Sequence, residues 1–318
     1  MPTMKRTCAI ESLQGPCIDA NGRRIFTGIN KGRKHSASSK EVLLLSKQLI
    51  TGLERGQVSE YVILCGEPER VHKISSFLED PEEVGKVREF TVHKGLIGDT
   101  SVTIASTGIG GPSTAILVEE LANLGAKTFM RIGTSGGIAD GLEKGDFVVA
   151  SGAVRLDGTS KSYAWTEYPA LASYDVMAAL VDSATRARKR FDVGVCLSVD
   201  GFYSENKVLT DGRISSMSHS GYMPSFMADR LGDAKMMKVK NIEMENGTIF
   251  TLCSLLGLRA GAICTISDVV PWHPTEKAID FEQNMSDCIR VGVDAMRTLI
   301  KWDAAKGTAV HWCPSHLG

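Results

Sequence analysis

Val102-Thr103-Ile104-Ala105-Ser106-Thr107-Gly108-Ile109-Gly110-Gly111-Pro112-Ser113-Thr114 is the stretch that decides the fold. A β-branched, apolar run closes on glycines, and a helical segment follows with Pro112 in its first turn and Gly125 just past its end. Two other runs repeat the pattern: Tyr61-Val62-Ile63-Leu64-Cys65 stops at Gly66, and Thr128-Phe129-Met130-Arg131-Ile132 stops at Gly133-Thr134-Ser135-Gly136-Gly137. Continuous apolar runs, unlike alternating ones, belong to strands covered on both faces. Further strands are expected at 146–150, 193–199 and 262–267, with a long helix near 281–301. Strand–helix alternation of this kind implies a single-domain, three-layer α/β fold whose mixed central β-sheet is flanked by helices.

The boundaries follow from where the periodicity fades. Residues 1–40 are rich in Gly, Lys and Ser, include Asn30-Lys31-Gly32-Arg33-Lys34-His35, and are expected to form a flexible arm. Residues 41–303 form the expected domain, and 304–318 a C-terminal tail.

With 318 residues, 43% of them hydrophobic, the chain can bury a large core. Lys and Arg number 36 against 37 Asp and Glu, a net charge of −1, so no overall basic field exists to hold a nucleic acid or an anionic membrane. An anion site must therefore be local. The eight cysteines, at 8, 17, 65, 196, 253, 264, 288 and 313, lack Cys-x-x-Cys spacing, and several sit in apolar runs as buried free thiols would. A reducing, cytoplasmic setting is expected. No apolar run is long enough for a membrane span. His311, Cys313 and His316 lack a fourth metal ligand, which points to an ordinary tail.

In α/β sheets ligands bind beyond the carboxyl ends of the strands. Three such ends carry glycines here, which let the backbone approach an anion, and two have arginines close by: Gly66-Glu67-Pro68-Glu69-Arg70 and Arg131-Ile132-Gly133-Thr134. Arg131 is the sharper clue, because a charge at the end of an apolar strand is costly to bury without a partner.

At these residues the chain resembles the NP-1 nucleoside phosphorylase family, and within it the uridine phosphorylases. The resemblance rests on Ser106 through Thr114, Val118-Glu119-Glu120-Leu121, Arg131 through Gly137, Val154-Arg155-Leu156-Asp157-Gly158 and Asn241-Ile242-Glu243-Met244-Glu245, and spans roughly residues 42 to 300. It implies a pentosyl transfer in nucleoside salvage: a nucleoside and inorganic phosphate give free base and ribose 1-phosphate, with phosphate as co-substrate and no cofactor. The matching phosphate ligands are Gly66, Arg70, Arg131 and Thr134, with Arg88 lent by a neighbouring subunit, which implies a homodimer or a higher homo-oligomer. Met244 and Glu245 match the ribose-binding pair, and Phe202 the aromatic that stacks on the base. Glu89, Ile109 and Ser113 match a monovalent-cation site between subunits. The family's ribose-contacting His near the amino terminus falls near Val42, with His35 a substitute. The expected catalytic set is Arg131, Glu245 and Asp268.

Base choice stays open at this point. Where uridine phosphorylases carry a Gln and an Arg, this chain has Asn206 and Val208, and Val208 cannot replace the Arg. Ser267-Asp268 stands where purine-cleaving relatives place the acid that protonates N7. Against that, the stretch between Phe202 and Glu243 resembles the long insertion of the uridine branch, and the motif wording is nearer that branch. Uridine is therefore the first reading and a purine the second. A nucleosidase would need a general base where the arginines stand, and a non-catalytic nucleoside-binding protein would show no phosphate-dependent turnover.

Overall fold

The computed structural model describes residues 47–273 and 280–317. The expected arm, with His35, and Val42 lie outside them. In chain order the elements begin with β1 (Tyr61–Cys65), α1 (Pro68–Ser75), β2 (Glu79–Val87), β3 (Phe90–Ile97), β4 (Thr100–Ser106), α2 (Gly111–Asn123) and β5 (Thr128–Gly137). There follow β6 (Phe147–Arg155), α3 (Gly158–Tyr163), β7 (Ala170–Leu171), α4 (Tyr174–Arg186), β8 (Phe191–Ser198) and α5 (Phe202–Glu205). The chain continues through β9 (Lys207–Thr210), β10 (Arg213–Ser216), α6 (Ser225–Ala228), α7 (Arg230–Met236), β11 (Asn241–Glu243), α8 (Asn246–Leu255), β12 (Arg259–Val269) and α9 (Phe281–Lys306).

Among the described residues one mixed sheet runs β11-β8-β6-β12-β5-β1-β4-β3-β2, with β7 on β6. β1 is parallel to both β4 and β5, whereas β6 is antiparallel to β12 and the β2–β3–β4 edge is antiparallel throughout. β11 pairs with β8 and also with the end of β5, which closes β5, β12, β6, β8 and β11 into a ring of strands.

The apolar runs explain the layers. Along β1, Ile63 and Cys65 enter the cluster under α1, α4 and α9, while Val62 and Leu64 enter the opposite cluster under α2 and α8. All four are 0% exposed, so the strand is covered on both faces as its composition requires. Cys65, Cys196, Cys253, Cys264 and Cys288 are free and buried. No described helix is long and apolar enough to cross a membrane.

Two parts differ from a plain reading of the sequence. The insertion folds into its own hairpin, β9 on β10, followed by α6 and α7. Its β9 is tied to the stretch after β12, where Trp272 donates to Lys207 O and Leu209 donates to Trp272 O. In the stretch 304–318, α9 continues to Lys306, Trp312 stacks on Trp302 at 3.9 Å, and Tyr174 Oη donates to Trp312 O. Among the described residues His311, Cys313 and His316 do not converge as a ligand set.

Close approach of α9 to the sheet depends on Gly292, where an added Cβ would lie 2.4 Å from Ile132 Cδ1. Gly292→Ala should therefore destabilise the protein by about 1–3 kcal/mol in urea unfolding. An unchanged or raised midpoint would mean that α9 can back away from β5 freely.

Candidate active site

The site begins where β1 and β5 part company. Their ladder ends at Leu64 with Arg131, but β5 continues six residues further, to Gly137, along β12 and then β11. Beyond the end of β1 the gap is lined by Gly66, Arg70, Gly108, Arg131 and Thr134, and it widens into a cavity of about 450 Å³. The cavity lies past the carboxyl ends of parallel strands, as the topology of such sheets dictates.

Arg131 is only 4% exposed and is held by charge. Its Nη2 donates to Glu245 Oε2, its Nη1 contacts Cys264 Sγ at 3.2 Å, and Glu243 Oε2 lies 3.8 Å from Nη1. Burial works against the guanidinium charge, but the Glu245 carboxylate, with Glu243 beside it, more than offsets it and holds its pKa above the ordinary value. Burial pushes the Cys264 thiol up to about 11, so it stands beside Arg131 un-ionised at neutral pH. Local sequence permits this fold-back: a Cβ at residue 133 would lie 2.2 Å from Arg131 Nη1, so Gly133 is required on that face of β5. Arg131 Nε is buried without a partner among the described residues, an orphan donor that costs about 1–3 kcal/mol until something accepts from it.

The carboxylates are fixed in turn. Glu243 Oε2 accepts from the backbone N–H of Glu245 at 2.8 Å and Asn246 at 2.7 Å, and Oε1 accepts from Ser198 Oγ. Burial raises the Glu243 pKa, with Arg131 opposing. Glu245 Oε1 accepts from Gly110 N–H at 2.7 Å, at the start of α2. The N-terminal ends of α2 and α8 are thereby joined to β5 through two carboxylates.

The cavity is lined by two kinds of side chain. Beside Gly66 and Thr134, Arg70 is 4% exposed and paired with the outward Glu67 at 3.0 Å, a bond that is easily exchanged because Glu67 is largely in water. Two guanidiniums, a threonine hydroxyl and glycine backbone can hold an oxyanion here. Phe202 and Tyr203 on α5 line the same cavity, with Val199, Ile242 and Met244. Phe202 is 52% exposed and offers a ring face to a flat ligand. Asn206 lines the cavity too and donates through Nδ2 to Phe202 O at 2.8 Å. Asp268 also lines it, beside a bulge that shifts the register after Ile266, and accepts from Ser267 Oγ at 2.8 Å.

Gly66, Arg70, Ile109, Arg131, Thr134, Phe202, Asn206, Met244, Glu245, Ser267 and Asp268 thus share one cavity. Arg88, Glu89 and Ser113 are not among its lining residues. Arg88 sits exposed at the β2–β3 turn with φ 55°. Glu89 and Ser113 meet over Gly108, where an added Cβ would lie 2.7 Å from Glu89 Cγ and 3.2 Å from Ser113 Oγ. Sequence reading missed Cys264, Glu67, Tyr203 and the need for Gly133. The alternation Arg131, Gly133, Ser135 along one strand face carried the signal for the last.

Residues 60–301 match the family model of the phosphorylase superfamily, and the chain belongs to that superfamily. It is similar to a uridine phosphorylase of Thermococcus kodakarensis, 41% identical over 265 residues that cover 83% of this chain and 91% of that one. A uridine phosphorylase of Escherichia coli is 36% identical over 244 residues, covering 77% and 94%. A guanosine phosphorylase of Halorubrum lacusprofundi is 40% identical over 222 residues, covering 70% and 83%.

Removing one member of a buried ion pair leaves the other charge uncompensated. Glu245→Ala should lower the unfolding free energy by about 3 kcal/mol in urea titrations. A loss below about 1 kcal/mol would show that Glu243 and water suffice to hold Arg131.

Proposed function

We propose that this protein cleaves uridine, or a related pyrimidine nucleoside, with inorganic phosphate to give uracil and ribose 1-phosphate. The observation that carries the reading is one cavity lined together by Arg70, Arg131, Met244, Glu245 and Phe202. Those side chains are of the kinds that suit phosphate, sugar and base. The uridine phosphorylases among the relatives supply the substrate class.

Phosphate lies against Gly66, Arg70, Arg131 and Thr134, with the exposed Arg88 supplied by a second subunit of a homodimer. Met244 packs on the ribose and Glu245 accepts from its hydroxyls. As the C1′–N1 bond lengthens, its electrons pass to the base and the sugar gains oxocarbenium character, which Glu245 and the phosphate stabilise. A phosphate oxygen then bonds to C1′, and the base leaves and takes up a proton. No protein nucleophile is needed. Asn206 reads the base in place of the usual Gln, and Phe202 stacks on it. Glu89, Ile109 and Ser113, near the subunit boundary, hold a monovalent cation in this reading.

One observation favours a second reading. Ser267 and Asp268 line the same cavity, and a guanosine phosphorylase is among the relatives, so a purine with Asp268 as acid is the alternative.

The test is base release from uridine, thymidine, inosine and guanosine, with and without phosphate. Uridine should be turned over only with phosphate, Asp268→Asn should change its kcat by less than about tenfold, and Arg131→Ala should lower kcat/KM by about a thousandfold or more. Release of guanine or hypoxanthine that Asp268→Asn abolishes would install the purine reading instead. If sites are shared, random pairing of co-expressed Arg88→Ala and Arg131→Ala chains, each inactive alone, should restore about a quarter of wild-type activity, because only one site of each mixed dimer is intact. No recovery would place Arg88 outside the site.

A further inference from the structure

A second constellation lies at the edge of the sheet, built from residues that do not line the cavity. Glu83 on β2 is directly opposite His93 on β3, and β2 changes register on both sides of Glu82-Glu83. Across one face of this pair runs α1, where His72 and Ser75, three residues apart, both face β3. The His72 ring meets the His93 ring edge-on at 4.5 Å between centroids. One ligand atom from each of His72, Glu83 and His93 lies within 4.8 Å of the others.

The hydrogen-bond chain fixes the chemistry of the buried member. Ser75 Oγ donates its one proton to His72 O at 3.1 Å. His93 Nδ1 lies 2.9 Å from Ser75 Oγ, and in the tautomer that carries its proton on Nδ1 the Nε2 atom presents a lone pair. His93 is 6% exposed, and Nε2 has no hydrogen-bond partner among the described residues. Instead it faces Glu83 Oε2 at 3.7 Å, beyond hydrogen-bond distance.

We propose that His72, Glu83 and His93 bind one divalent transition-metal ion of the Zn²⁺ class, which clamps α1 to the β2–β3 hairpin. Two imidazole nitrogens and one carboxylate oxygen, with a fourth position open to water, suit Zn²⁺ and its neighbours and not Mg²⁺ or Ca²⁺, which take oxygen ligands. Zinc–ligand bonds near 2.1 Å set donor spacings of about 3.4 Å, so the exposed His72 and Glu83 side chains need to close by roughly 1 Å. Ser75 acts behind the site, orienting the His93 ring in the tautomer a metal requires.

The test is calorimetric titration of the full chain, stripped with a chelator, with Zn²⁺ and in parallel with Mg²⁺. One Zn²⁺ per chain should bind and Mg²⁺ should not. His72→Ala and Glu83→Gln, both at exposed positions that leave the core intact, should each weaken Zn²⁺ binding at least tenfold, and Ser75→Ala by about 10–100-fold. Cys313→Ser should leave it unchanged. Equal Zn²⁺ affinity in wild type, His72→Ala and Glu83→Gln, or loss of binding in Cys313→Ser, would overturn the assignment.

Discussion

The buried charge on Arg131 is the constraint that the rest of the site depends on. A guanidinium this far from water needs carboxylates, and Glu245 and Glu243 supply them from the segment that opens α8. Glu245 also takes the first N–H of α2 through Gly110, and Glu243 takes two N–H groups at the start of α8. One network thus fixes β5, α2 and α8 around the cavity. Removing any member leaves the others in a low-dielectric setting without compensation, which makes the geometry stiff. The same stiffness suits a site that must present fixed dipoles to a changing charge distribution.

Much of this was legible in the sequence because the sheet centre is covered on both faces. Strands such as β1 and the first half of β5 must be apolar throughout, and their ends must turn sharply, so runs closing on glycine announced both the strands and the site. The helix α2 showed itself through Pro112 and Gly125, chemistry that is local. By contrast, β2 is an edge strand largely in water, and its Glu-rich sequence carries no burial signal. The helix α8 has residues 246–253 all buried, so it shows no amphipathic period, and its Thr, Ile and Phe residues read equally well as a strand.

Site contacts between distant segments were beyond reach for a related reason. Cys264 touches Arg131 across 133 residues because β12 and β5 are neighbours in register, a fact of topology and not of local pattern. Tyr203 and Glu67 line the cavity next to flagged residues, and nothing in the local pattern sets either apart from an ordinary surface side chain. The residues that announced themselves were those whose identity is dictated by backbone geometry or by an unavoidable charge, which is where sequence and physics coincide most closely.

The account stands on phosphate, and not water, attacking the sugar. Phosphorus NMR of wild-type enzyme with uridine and excess inorganic phosphate reads this directly. A ribose 1-phosphate resonance that grows in step with released uracil is the predicted result. Uracil accompanied by free ribose, with the phosphate signal undiminished, would contradict it.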